Sequence, residues 1–252
     1  MSTEPPIEQA GAGIEVSGLT KRYGDFTAVS DLSFTVRRGE VLGLVGPNGA
    51  GKTTTLRSIV GTIVPDSGTI LLAGYDIAVE PVEAKRRAAF IPDVSHLFDY
   101  LTVRDHLLFT ARLYGVSAPE PRIESLLAEF QLEEKRDQFP DELSRGMKQK
   151  VALACGLVHD PQVLLFDEPL TSLDPASIRR TKDAMLRRAR EGAAVVLSSH
   201  LLSLVEELCD RVLIIQGGRQ VTVGTIAEIR ASRPELEGRD LEDIFLALTE
   251  QG

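Results

Sequence analysis

The chain has 252 residues, with 43% hydrophobic and 26% charged side chains and a formal net charge of −9. This is enough for one large domain, or a domain with a subdomain, around an ordinary apolar core. The acidic balance argues against a broad nucleic-acid surface while leaving room for a local basic patch, and no apolar run reaches the length needed to span a bilayer.

Residues 1–13 are polar, carry Pro and Gly, and lack the apolar centre of a signal peptide, so a disordered leader is expected there. Two β-rich runs, residues 14–17 and 27–36, flank a turn around Tyr23-Gly24-Asp25 and predict an antiparallel sheet. Arg38-Gly39-Glu40 then leads into the apolar strand Val41-Leu42-Gly43-Leu44-Val45. Gly46-Pro47-Asn48-Gly49-Ala50-Gly51-Lys52-Thr53 follows, and residues 54–60 read as a helix. Another strand is expected over residues 69–72, ending at Ala73-Gly74.

Helical periodicity dominates from Val103 to about His159. Ala118-Pro119-Glu120-Pro121 breaks it, and residues 123–130 resume it. The core returns with the strand Val163-Leu164-Leu165-Phe166, which ends in Asp167-Glu168, and with Ala193-Ala194-Val195-Val196-Leu197. Val212-Leu213-Ile214-Ile215, Gly217-Gly218 and Gln220-Val221-Thr222-Val223 predict a hairpin, and residues 241–248 an amphipathic helix.

Strands alternating with helices predict an α/β fold with a mostly parallel sheet, an N-terminal antiparallel β subdomain and a helical subdomain inserted at about residues 94–160. The main domain is expected over residues 14–224, with a helical tail over 225–252. The basic clusters Lys85-Arg86-Arg87, Arg179-Arg180 and Arg187-Arg188 are expected on solvated helix faces. Cys155 and Cys209 lack metal-type spacing and suggest reduced thiols, Cys155 as a small buried side chain. His96 falls in a loop. A partly charged His159 suits the C-terminal end of its helix.

The glycine-rich stretch fits GxxxxGK followed by Ser or Thr, the phosphate-binding loop of a P-loop nucleoside triphosphatase. The competing reading is a chance glycine turn, but the strand before and helix after are what the motif requires. Its glycines let backbone N–H groups point inward, and the next helix presents its positive end to the same anion. Gly46, Pro47, Asn48, Gly49, Ala50, Gly51, Lys52, Thr53 and Thr54 are therefore the candidate phosphate-binding residues. Lys52 supplies charge for the β/γ-phosphates, and Thr53 a hydroxyl for Mg2+. Two carboxylates at the tip of a buried strand are costly without a cation. Asp167 suits the Mg2+ shell and Glu168 suits a general base for the attacking water.

With these motifs in order, residues 14–224 resemble the ATP-binding subunits of ABC transporters. Leu143-Ser144-Arg145-Gly146-Met147-Lys148-Gln149 is similar to the family signature, usually LSGGQ, and Leu173-Asp174 to its D-loop. His200 resembles the switch histidine, and Tyr23 the aromatic that stacks on adenine. The resemblance implies ATP and Mg2+ as cofactors, with ATP held between one subunit's Lys52 and its partner's Ser144 and Gly146. It implies a homo- or heterodimer, a separate transmembrane permease subunit, and a peripheral position on the cytoplasmic face of the membrane. No nucleic-acid partner is expected.

Three positions depart from the family pattern. Asp93 stands where glutamine is usual. It can ligate Mg2+ but, when ionised, cannot donate a hydrogen bond, and it is expected to alter coupling to the membrane partner more than ATP binding. Arg145 and Met147 replace a glycine and a glutamine, and the sequence leaves open whether Arg145 meets phosphate or solvent. Leu97-Phe98-Asp99-Tyr100-Leu101 is apolar for a loop and is expected either to receive a short helix of the membrane partner or to pack inside the subdomain. The signature variant and the tail resemble bacterial export subunits, so export is the expected direction. The alternative is a non-transport ABC-type ATPase acting on ribosomes or DNA.

Overall fold

The computed structural model describes residues 11–233 and 236–249. Two long strands, β1 (Ala12–Tyr23) and β2 (Phe26–Arg37), form an antiparallel hairpin with Tyr23 opposite Phe26. β3 (Val41–Val45) runs into the glycine loop and α1 (Lys52–Ile59). β4 (Ser67–Leu72) and β5 (Tyr75–Asp76) complete a four-stranded sheet of order β2-β1-β4-β5. The leader expected over residues 1–13 lies mostly outside the described residues. Its last two residues, Ala12 and Gly13, belong to β1.

After α2 (Pro81–Arg86) comes β6 (Ala88–Ile91), then three helices: α3 (Val103–Leu113), α4 (Glu120–Phe130) and α5 (Arg145–Leu157). Pro121 sits in the first turn of α4, where its missing N–H costs nothing, so it starts a helix there as well as interrupting the periodicity. β7 (Val163–Asp167), α6 (Pro175–Arg190), β8 (Ala194–Ser198), α7 (Leu202–Leu208), β9 (Arg211–Gln216) and β10 (Arg219–Gly224) return the chain to the core. α8 (Ile226–Ala231) and α9 (Leu241–Thr249) form the tail.

The second sheet has order β10-β9-β3-β8-β7-β6, parallel except for the terminal hairpin. Its inner strands β3, β7 and β8 are buried at every residue, as continuous apolar runs covered on both faces must be. One face packs against the four-stranded sheet and α1, through Leu42, Leu165 and Val196 against Ile14, Val36, Leu56 and Leu72. The other packs α3–α6, where Leu107, Leu127, Phe130 and Leu157 join Leu164, Phe166 and Val195 in one core.

The strand register delivers the site. Parallel strands end at one edge, and ligands of such sheets bind outside the strands' carboxyl ends. Leu44 lies level with Ser198, and Ser198 with Asp167. The glycine loop after β3, Glu168 after β7 and His200 after β8 therefore emerge side by side.

The basic cluster at Arg187-Arg188 is a correction. Arg187 is on the surface, but Arg188 is buried, donating to Asp160 Oδ1 (2.9 Å) and Glu191 Oε2 (3.1 Å). A buried guanidinium persists only with such partners, and α6 carries Arg188 toward the turn after α5.

The tail covers the sheet's β9 side. Ile229, Leu241, Ile244 and Leu248 form a third core with Val45, Val205, Val212 and Ile214. Because Val45 immediately precedes the glycine loop, this packing braces the strand that carries it. Ile244→Ala is expected to lower the unfolding free energy by about 2–5 kcal/mol, the usual range for truncating a buried isoleucine. Urea titration followed by circular dichroism measures it, and an unchanged midpoint would show that the tail does not stabilise the core.

Candidate functional site: a phosphate-loop cavity on one edge of the sheet

α1 starts abruptly at Lys52 after Gly51, whose φ of 103° is left-handed. A Cβ there would also meet the Ala28 carbonyl oxygen at 2.5 Å, so only glycine fits. No side chain caps α1. Its first N–H groups remain available to an anion, with the positive end of the helix behind them. Lys52 Nζ donates to the carbonyls of Gly46 (2.7 Å) and Pro47 (3.2 Å), so the loop curls around its own lysine. Burial lowers the Lys52 pKa, while the Glu168 and Asp167 carboxylates oppose that shift.

A cavity of about 340 Å³ opens here, lined by residues 48–54, Asp167 and Glu168 and, at its far end, Tyr23, Phe26 and Ala28. Its size is within the range of small-molecule sites. Gly46 and Pro47 lie behind its wall and contribute the carbonyls that hold Lys52. Asp167 is buried at the tip of β7, and the buried Ser198 hydroxyl, one strand over, has no hydrogen-bond partner among the described residues. Glu168 takes a left-handed φ of 51°, which turns the chain out of the sheet. Its Oε2 lies 2.8 Å from His200 Nδ1. Burial pushes the Glu168 carboxyl up, and the neighbouring His200 pulls it back.

The donor set suits a hard divalent cation: the Thr53 hydroxyl and the Asp167 carboxylate are oxygen ligands facing one space. Among the described residues no group of three ligating side chains exists. A cation here must share its shell with phosphate oxygens and water, the way magnesium binds and a zinc or calcium cage does not.

Tyr23 is half exposed, with Lys21 Nζ 5.5 Å from its ring centre. Phe26, directly across the hairpin, adds a second aromatic that sequence reasoning missed. The alternation of a strand after a two-residue turn was the available signal: it puts the residue opposite Tyr23 on the same face.

Three predicted site residues lie elsewhere. Ser144 caps α5, its Oγ accepting from the Met147 N–H at 3.2 Å, and does not line the phosphate cavity. Gly146 lies against the Ser172 carbonyl oxygen, which a Cβ would meet at 2.7 Å, so its own subunit's chain already requires a glycine. Asp93, predicted as a possible Mg2+ ligand, lines a second cavity with Arg145, Lys148, Gln149 and Ser172 and does not line the phosphate cavity. Arg145 faces Asp93, Nη2 to Oδ1 at 3.6 Å.

The apolar loop of residues 97–101 is packed at one end and exposed beyond it. Leu97 packs on the core, whereas Phe98 is 59% and Tyr100 92% exposed. The His106 imidazole holds this loop, accepting from the Phe98 N–H at Nε2 (2.8 Å) with Nδ1 2.8 Å from the Thr102 carbonyl. A groove of about 250 Å³ runs from Phe98 and His106 to Tyr114, Cys155 and His159. Burial pushes the Cys155 thiol up to about 12, although the side chain still reaches the groove.

A model of the family described as ABC transporter matches residues 29–171. The chain belongs to that family. It is 35% identical over 240 residues to the ABC-type transporter ATP-binding protein EcsA of Bacillus subtilis (strain 168), covering 94% of this chain and 97% of the relative. It is 40% identical over 236 residues to the Nod factor export ATP-binding protein I of Paraburkholderia xenovorans (strain LB400), covering 93% and 77%. A solved ATP-binding subunit of an ABC transporter superposes with a TM-score of 0.89 at 37% identity, covering 93% of this chain and 98% of that one. A dimeric ATP-binding cassette bound to ADP and Pi, at 22% identity and a TM-score of 0.78 over 84% of this chain, shares the fold. Family and site together make this an ATP-binding, ATP-hydrolysing subunit that serves transport. Among the described residues no helix is long and apolar enough to cross a membrane.

His159 is a further correction. It stacks on Tyr114 at 3.7 Å between ring centres, and burial lowers its pKa to about 4, so it is neutral at pH 7 and adds nothing to the helix dipole. A histidine with a depressed folded pKa contributes stability that is complete above its unfolded pKa of about 6.5 and lost as pH falls toward 4. Between pH 7 and pH 4, His159→Phe should lose about 1–3 kcal/mol less stability than the parent. Denaturant midpoints at both pH values measure this, and parallel losses would disprove it.

Proposed function

We propose that this chain is the ATPase of an export system, bound peripherally at the cytoplasmic face of the membrane to a separate transmembrane permease, and that ATP closes it against a second copy or a close homologue. One observation carries the reading. Lys52, Thr53, Asp167 and Glu168 line one open cavity, with His200 in contact with Glu168, while Ser144 and Gly146 line none of it. The site is half built, and its missing wall is the face this chain presents at the start of α5. The export function in the name of a relative aligned over 93% of this chain supports the direction.

The roles follow from the chemistry. Backbone N–H groups of residues 48–54 take the phosphates, and Lys52 exchanges its loop carbonyls for β/γ-oxygens. Tyr23 and Phe26 offer aromatic faces to adenine. When bound, Mg2+ held by Thr53 and Asp167 with phosphate oxygens neutralises charge on the transferring phosphoryl group. Glu168, raised above the usual carboxylate range, is the base that orients water. His200 fixes the Glu168 carboxylate and is near enough to register loss of the terminal phosphate.

Glu168→Gln should cut ATP turnover by about 10²–10⁴, the usual worth of a positioned base. The same variant should form a dimer in ATP, visible by size-exclusion chromatography with light scattering. Normal turnover would remove Glu168 from this role, and a monomer in ATP would remove the two-subunit site.

The exposed Phe98 and the groove beside it support docking of a short helix from the permease. Phe98→Glu is expected to abolish recruitment to membranes containing the permease while ATP binding persists. Retained co-sedimentation would place the permease contact elsewhere.

A further inference from the structure

Asp93 and Arg145 face each other across the second cavity, and the ATP site as described uses neither. Asp93 follows β6, and Arg145 opens α5. Their 3.6 Å separation is beyond hydrogen-bond reach. Asp93 Oδ1 is cut off from solvent and has no hydrogen-bond partner among the described residues. The Arg145 side chain is 64% exposed. The Asp93 side chain is 41% exposed, so its carboxylate has one shielded oxygen, balanced by charge alone, and the guanidinium that balances it is held by no directional bond.

The surroundings are built for a stronger anion than one carboxylate. The cavity, about 430 Å³, also takes Lys148, Ser95, Thr171 and Ser172. It lies at the N-terminus of α5, a 13-residue helix whose first N–H groups lack intrahelical partners, the Met147 N–H being taken by the Ser144 cap. A terminal phosphate offers more charge than Asp93 and accepts a guanidinium bidentately.

We propose that Asp93 is a resident counter-charge that holds Arg145 back in the ATP-free subunit. On closure, Arg145 transfers to the terminal phosphate of ATP bound by the second copy. The inference rests on the two-subunit reading above. It moves the consequence of Asp93 from membrane coupling to closure itself, because the partner of Asp93 is a residue of the signature segment. Arg145 then contacts the nucleotide, and Asp93 is a positioning residue.

The test uses the hydrolysis-blocked Glu168→Gln chain and the ATP concentration that gives half-maximal dimer. Adding Asp93→Asn should lower that concentration by about three- to tenfold, the range expected for releasing a partly exposed pair. Adding Arg145→Gln should raise it by a similar factor, since Asp93 then faces the incoming phosphates unbalanced. Arg145→Lys should recover at least half of that loss, a rescue that a purely structural role would not give. Asp93→Ser serves as the second variant if Asp93→Asn melts early. A parent that dimerises but gains nothing from either Asp93 change overturns this inference alone. A parent that stays monomeric in ATP overturns it together with the two-subunit site.

Discussion

The site depends on one constraint: β3, β7 and β8 run parallel in strict register and stop at the same edge. Each is a five-residue strand buried at every position. A one-residue slip would move Asp167 off the level of Ser198 and reverse the face of every side chain in the strand. The apolar packing on both faces forbids that slip. Catalytic geometry here is therefore a by-product of hydrophobic register, not of contacts among the polar groups themselves.

Charge then organises what the register brings together. Lys52, half removed from water, faces two carboxylates, one fully and one half buried. The lysine leans on carbonyls of its own loop, and Glu168 leans on His200. Lys52 and Glu168 thus each have a partner that can be exchanged for a phosphate or a water, which lowers the desolvation cost of the ATP-free site without filling it. The left-handed φ at Glu168 belongs to the same arrangement. It turns the chain at the end of β7, so that two adjacent carboxylates take different positions: Asp167 stays in the strand, and Glu168 reaches toward the histidine.

Much of this was legible in the sequence because it is local. A glycine loop between an apolar run and a helix, an apolar run ending in Asp-Glu, and a Ser that caps the next helix each carry their physics within a few residues. Strand and helix placement followed for the same reason. What was not legible depends on partners far along the chain. Asp93 pairs with a residue 52 positions away, and nothing near it announces Arg145. His159 reads as a helix-end cation until Tyr114 stacks on it. Arg188 reads as solvated until the turn carrying Asp160 closes over it. Phe26 lay between these extremes, since hairpin pairing alone puts it opposite Tyr23.

The loop after β6 shows how the two ends of the helical subdomain are joined. Gln149, buried in α5, holds it at two points: Nε2 donates to the Pro92 carbonyl at 3.2 Å, and Oε1 accepts from the Ser95 hydroxyl at 2.5 Å. Four residues before Gln149 on the same helix stands Arg145, facing Asp93; three residues after Ser95 stands Phe98, fixed by His106. Asp93 lies inside the Pro92–Ser95 segment, so the two Gln149 bonds hold that segment, and Asp93 with it, against the helix that carries Arg145. That segment is covalently continuous with the exposed aromatic loop. The groove beside Phe98 and the start of α5 are therefore joined by one short segment, which Gln149 anchors.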